Sequence, residues 1–457
     1  MLEVFLFGGI CPWDTFYVVP EHGSESGGPD GPTMWWTFQN TPVSVTSEFA
    51  RCGGGNRSLL EAPFASDAGG AQVRLGPYLY PLRDRPDIVR RMRMWVMKHD
   101  QGAHETGVPL TMCGHPMTSP RMASTAAHVQ RFFSERQERT TPYSTVVYPG
   151  LHDLTAHNGE AASAVGLHGG SARPVSLRLG HGGLSEEGLG RTTVAGRRDE
   201  LDAVVRYYTQ RYGARLIRPG TGERVRAPAM TDWEAARAAL EGAEDFRAVL
   251  GPGASQGAQG DECGEHSEAD FTTMSLRLGA ELLTHPTDAP KWVTVVDGGL
   301  LPAVGGGAYD THFEHVHHSA RNLVHTMREL TSRINEPGEN DPSKIDLDRQ
   351  TVLLTTEFGR TPFAIGDGLN HWTEGYVVCA FGGPFDEERA GIVGAIGPDG
   401  YATEWVTPAD FRAAMLLMQG MWPFTSESFA VGDVSGGATT EAEGTAFLRE
   451  VMLGYPA

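Results

Sequence analysis

Apolar residues fall into short runs that stop abruptly at glycine or polar positions. Leu2–Phe7 (LEVFLF) ends at Gly8-Gly9. Ser144–Tyr148, Trp292–Val296 (WVTVV), Thr351–Thr355 (TVLLT) and Tyr376–Ala380 (YVVCA) are equally short, and most are β-branched. Runs of this length with few polar interruptions predict strands buried on both faces. Between them lie longer stretches with helical periodicity: Arg121–Gln137, Asp199–Tyr212, Asp232–Leu250, Phe271–Leu283 and His312–Ile334. Asp87–His99 mixes Arg with Val, Met and Trp and is expected to be a solvated helix face and a strand end. Strands alternating with helices predict an α/β fold, a mainly parallel central sheet with helices on both faces. In such folds ligands bind beyond the carboxyl ends of the strands.

Segments without a period complete the layout. Gly27–Pro32 and Cys52–Asn56 (CGGGN) are turns. Leu151–Arg197, rich in Gly, Ser and His, is expected to be a long connection or insertion, and Gly251–Asp270 a mobile acidic loop. The expectation is a single α/β domain over 1–457, with an insertion or cap region at 151–290. No fixed-period repeat is present.

Composition narrows the function classes. The chain has 457 residues, 40% hydrophobic and 21% charged, enough for a sizeable core and against wholesale disorder. A formal net charge of -20 repels phosphate backbones and anionic lipid, so nucleic acid is not an expected partner; the acidity otherwise favours solubility or divalent cations. No apolar run is long enough for a transmembrane helix, so membrane insertion is not expected. Met1 leads directly into a strand-like run with no signal peptide, which predicts a cytoplasmic protein, or an exported one if a leader has been removed. Five scattered cysteines, Cys11, Cys52, Cys113, Cys263 and Cys379, form no CxxC pair and predict small isolated thiols.

Polar residues follow the apolar runs where a ligand site is expected. Asp14 follows the first strand. Asp310 and His312 (GGGAYDTH) follow the strand ending near Val296. Glu357 (TTEFGRTP) lies just past its strand, and His371 (GLNHW) sits in a loop with Gly366 and Gly368. Carboxylates with imidazoles suit Zn, Mn or Fe, and a carboxylate-rich set also admits Mg or Ca. Each residue alone also fits a cap, a turn former or a solvated side chain; Glu357 and Arg360 alone fit an ion pair. His315, His317, His318 and His325 are expected on a solvated helix face, with His315 in reserve as a ligand about one turn from His312.

The runs GGICPWDTF, GAYDTH, EFGRTP and GLNHW, in that order, resemble the bacterial domain-of-unknown-function 1501 family, a distant branch of the alkaline phosphatase/sulfatase superfamily. The resemblance spans roughly residues 2 to 435. It implies an alkaline-phosphatase-like fold with a loop-rich insertion. It also implies a divalent metal held by Asp14, Asp310, His312, Glu357 and His371, with a small anionic ester as substrate. The chain departs from the family pattern in places. Phe358 stands where the superfamily's Asp-His pair has its histidine, Asn370 replaces an Asp, and Tyr309 replaces a Trp. The superfamily's nucleophile opens a helix ahead of a Thr-Gly or similar pair; ahead of Cys113-Gly114 this falls on His104, with Thr106 nearby. His104 or Thr106 then faces substrate, although Thr106 also fits an ordinary N-cap before Pro109. Arg360 is expected to pair with an anionic group or to buttress Glu357. Two functions follow: a metal-dependent hydrolase of a phosphate, sulfate or related ester, or a non-catalytic metal-binding or assembly protein on the same fold.

Overall fold

The computed structural model describes residues 1–22, 64–134, 136, 141–149, 174–180, 183–184, 198–217, 219–220, 270–299, 309–313, 315–363, 365–366 and 368–456. The expected turns at Gly27–Pro32 and Cys52–Asn56, the helix at Asp232–Leu250 and nearly all of the loop at Gly251–Asp270 lie outside these residues.

The main sheet is built from β1 (Leu2–Leu6), β2 (Met92–Met97), β3 (Ser144–Pro149), β4 (Val175–Gly180), β5 (Gly183–Leu184), β6 (Trp292–Asp297), β7 (Thr351–Thr355), β8 (Tyr376–Gly382) and β9 (Gly391–Val393). Their spatial order is β9-β2-β8-β7-β1-β6-β3-β4-β5. β1 lies near the centre, parallel to both neighbours, with Val4 opposite Val295 on one side and Leu354 on the other. β3 pairs in parallel with β6 and with β4, and β9 with β2. β8 and β5 run against the rest: β8 is antiparallel to β2 and β7, and β5 to β4. The carboxyl ends of β1, β2, β6 and β7 therefore share one edge of the sheet, and the amino end of β8 joins them.

Helices cover both faces. The longer ones are α1 (His104–Cys113), α2 (Thr125–Ser134), α3 (Arg198–Arg215), α4 (Phe271–Leu283), α5 (His315–Ser332) and α6 (Pro408–Met418). Val352 and Leu354 of β7 pack in one apolar cluster with Leu276 of α4 and with Leu323 and Met327 of α5. Leu353 between them belongs to a second cluster with Val129 of α2 and Phe411 and Met415 of α6. Side chains alternate across a strand, so both faces must be apolar, and the sequence runs read accordingly. Among the described residues no helix is long and apolar enough to cross a membrane.

Three segments differ from the sequence expectation. Within Asp87–His99, Met92–Met97 is β2, buried along its whole length, and Arg93 is buried with it because its guanidinium donates to the carbonyls of Met452 and Arg389. Within Leu151–Arg197, Val175–Gly180 is a strand of the main sheet, so this part of the expected insertion belongs to the core. The histidine face of α5 is buried: His315 and His325 are each 1% exposed and His318 is 7% exposed. The reason is pairing. His325 Nε2 meets Asp270 Oδ2 at 2.8 Å, and His315 Nε2 meets Asp14 Oδ2 at 3.1 Å. The side chain of His317 lies outside the described ones.

One buried ion pair joins the sheet to the helices that carry the site. Glu3, on central β1, accepts from Thr355 Oγ1 at 2.8 Å and from Arg412 Nη2 of α6 at 2.6 Å. Arg412 Nε also donates to the Thr111 carbonyl of α1 at 2.6 Å. Removing one partner strands a charge in the core, whereas removing both does not. Glu3→Ala is expected to cost roughly 3–5 kcal/mol in urea unfolding, and Glu3→Leu with Arg412→Met to recover most of that loss. Equal losses in the two variants would show that packing, not charge pairing, dominates here.

Candidate metal centre

The chain leaves β1 through Gly8 and Gly9, whose φ values of 116° and 96° favour glycine. Space forces the choice as well. A Cβ on Gly8 would sit 2.2 Å from the Asp310 nitrogen, and one on Gly9 would sit 2.8 Å from the Phe358 ring. The loop thus lies directly against the segments that follow β6 and β7. Arg360, fully buried, ties them together. Its guanidinium donates to the carbonyls of Gly8, Gly9 and Leu369 and to the Asp310 carboxylate. On the other side Asp297, at the end of β6, accepts from Thr272 and Thr326 hydroxyls, the Tyr309 hydroxyl and the Gly299 nitrogen. Tyr309 is thereby fixed, and with it the Asp310 that follows.

Three imidazoles converge on Asp310. His371 Nε2 lies 3.1 Å from Asp310 Oδ1, His312 Nε2 lies 3.0 Å from it, and His104 Nε2 lies 3.4 Å from it. The donor atoms of His104, Asp310 and His371 lie within 4.8 Å of one another, a spacing that admits one metal ion. His312 Nε2 stands 3.1 Å from His371 Nε2. Two of the rings are held from behind. His104 Nδ1 meets Glu357 Oε1 at 2.8 Å, and His371 Nδ1 donates to the Gly102 carbonyl at 2.5 Å. With each δ nitrogen committed as a donor, each neutral ring turns a lone pair on its ε nitrogen toward the same carboxylate oxygen. That arrangement is repulsive unless a cation sits among the three groups. His104 Nε2 is buried and has no hydrogen-bond partner, so the residues fit a metal ion.

Glu357 stands behind this group. Its Oε1 accepts from the Gly8 nitrogen at 2.7 Å and faces His104, and its Oε2 accepts from Thr356 Oγ1 at 3.3 Å. Its position is that of a carboxylate orienting a histidine ligand. Phe358 stacks on His371 at 4.3 Å between ring centroids and lies 5.0 Å from His104. It forms an apolar wall beside the three ligands.

The other sequence candidates fall elsewhere. Thr106 is the third residue of α1, and its hydroxyl donates to the Ala103 carbonyl at 3.2 Å. The N-cap is Ala103, which makes no side-chain cap bond, and His104 is the first helical residue, so Thr106 is neither cap nor part of the cluster. Arg360 buttresses Asp310, where Glu357 or substrate was expected. Asp14 is not with Asp310; it joins Cys11 and His315 in a second group. His99, just beyond β2, sets its Nε2 2.6 Å from the Glu357 carbonyl. No family model, curated protein or solved structure matches the chain.

The electrostatics favour a positive charge among these groups. Burial opposes a charged His104, but the Asp310 and Glu357 carboxylates beside it outweigh that and raise its pKa to about 9. Burial likewise opposes a charged Asp310, yet His104, His371 and Arg360 hold it well below the usual carboxylate range. In the metal-free protein a proton on His104 thus supplies the cation. Its folded pKa lies above the unfolded value of 6.5, so its stabilisation is complete below about 6.5 and is lost as pH rises through about 9. Chelator-treated protein is expected to lose stability over that interval in urea unfolding, and His104→Gln is expected to flatten the slope. An unchanged slope in His104→Gln would assign the titration to another group.

Proposed function

We propose that the chain is a metal-dependent hydrolase of a phosphate, sulfate or related ester, working with one ion at His104, Asp310 and His371. The observation that carries this reading is the pair of histidines whose δ nitrogens are tied back and whose ε nitrogens face one carboxylate oxygen. The donor set favours Zn, Mn or Fe over Mg or Ca, because imidazoles outnumber carboxylates. Burial distinguishes a catalytic site from a closed one. His104 and Asp310 side chains are 9% and 6% exposed, but those of His371 and His312 are 20% and 31% exposed, so one side of the cluster is open to solvent. Catalytic metal sites keep such an open position.

When bound there, a divalent ion neutralises an anionic ester and acidifies water. The chain's own residues do the rest. Glu357 fixes the orientation of His104, and Arg360 holds Asp310 against the glycine loop. The amino end of α1, which starts at His104, favours an anionic group. His312, the most exposed of the four, is placed to accept a proton from water at Nε2. With the Thr106 hydroxyl turned back on Ala103, water is the attacking group and no covalent intermediate on the chain is expected. The resemblance to the alkaline phosphatase/sulfatase superfamily points to the same substrate class.

The Thr106 hydroxyl, turned to Ala103 and away from the cluster, also favours a second reading, a metal-binding protein without turnover. Elemental analysis followed by aryl phosphate and aryl sulfate assays separates the two. The hydrolase reading expects stoichiometric metal lost in His371→Ala, activity lost with it, and metal affinity reduced about 10–100-fold in Glu357→Gln. Metal without turnover on any ester supports the second reading; metal content unchanged in His371→Ala contradicts both.

A further inference from the structure

We propose a second, closed metal site, in which Cys11 Sγ, the Asp14 carboxylate and His315 Nε2 hold a structural zinc-type ion. This inference does not depend on the hydrolase reading. The three donor atoms lie within 4.8 Å of one another, and the residues are 3%, 0% and 1% exposed. Local structure brings them together. Beyond the glycine loop the chain makes a single 3-10 turn, Pro12–Asp14, closed by Thr15 N to the Pro12 carbonyl at 3.2 Å and by Thr15 Oγ1 to the Cys11 carbonyl at 2.6 Å. Cys11 and Asp14, three residues apart, then face the first residue of α5, His315.

Charge and proton accounting suit a dication. A thiolate, a carboxylate and a neutral imidazole cancel its two positive charges, as full burial requires. Without the ion, Asp14 Oδ2 meets His315 Nε2 at 3.1 Å. His315 Nδ1 lies 2.5 Å from Thr311 Oγ1 and 3.2 Å from Ser319 Oγ, and hydroxyls can donate or accept. The cradle therefore accommodates either tautomer. On metal binding the ring proton moves from Nε2 to Nδ1, which then donates to Thr311, and the thiol proton of Cys11 leaves to solvent. One proton is released per ion, and the ring stays neutral. Tyr78, also fully buried, is within electrostatic reach of both Asp14 and Cys11 and offers a phenol oxygen on that side.

The site would brace the other one. Thr311 lies between Asp310 and His312, so an ion at Cys11, Asp14 and His315 fixes the segment that carries both. Thiolate, imidazole and carboxylate all ligate zinc, and the exclusion of solvent suits a structural ion over a catalytic one.

Thiolate ligation has its own signature. The full chain, produced in cobalt-supplemented minimal medium, is expected to show a sulfur-to-cobalt charge-transfer band in the near ultraviolet, which the all-nitrogen-and-oxygen site at His104 cannot give. The band is expected to persist in His104→Ala, Cys113→Ser and Cys379→Ser, and to vanish in Cys11→Ser together with one equivalent of cobalt. His315→Gln is expected to lose it too, with near-ultraviolet circular dichroism showing that the chain is folded. No band in the wild-type protein, or a band surviving in Cys11→Ser, overturns the proposal and leaves the first site untouched. Loss of cobalt in His371→Ala with the band retained separates the two sites.

Discussion

The buried guanidinium of Arg360 is the contact on which the rest of the centre depends. It binds the carbonyls of the Gly8-Gly9 loop, the Leu369 carbonyl and the Asp310 carboxylate at once. Those groups come from the segments after β1, β6 and β7, so one side chain locks three strand ends into one relation. A charged group this buried is costly unless its donors find partners, and Arg360 finds them in carbonyls that would otherwise be unsatisfied. Asp310 is held in turn, and the histidines arrange themselves around it.

Burial is graded across the site. The sheet side, with His104, Asp310, Glu357 and Arg360, is dry, and polar contacts there are strong because little water screens them. The outer side, with His312 and His371, meets solvent. Phe358, stacked on His371, closes one side of the group with an apolar ring. The Cys11, Asp14 and His315 group adjoins Thr311, and all three of its residues are buried.

The strands were legible because continuous apolar runs have one explanation in a sheet covered on both faces, and β1, β3, β6, β7 and β8 all follow from it. β2 was obscured by Arg93, whose charge suggests solvent until the carbonyls that receive it are known. β4 was obscured by its setting: Val175, Leu177 and Leu179 alternate with Ser176 and Arg178, but glycine-rich sequence surrounds them. At the site, the sequence singled out His104, Asp310, His312, Glu357 and His371, and the structure brings them together. It could not assign their layers, because one-dimensional spacing does not tell a ligand from the carboxylate behind it. The histidines of α5 misled for a similar reason: their partners Asp14 and Asp270 are remote in sequence, and only tertiary contact shows that this face is buried.

The most direct test of a centre at His104, Asp310 and His371 is anomalous diffraction from crystals of the metal-loaded protein. One peak is expected among His104 Nε2, Asp310 Oδ1 and His371 Nε2, about 2.0–2.2 Å from each, with Glu357 bonded to His104 and out of contact with the ion. A peak ligated by Glu357 in place of His104, or no peak among these residues, would contradict the account.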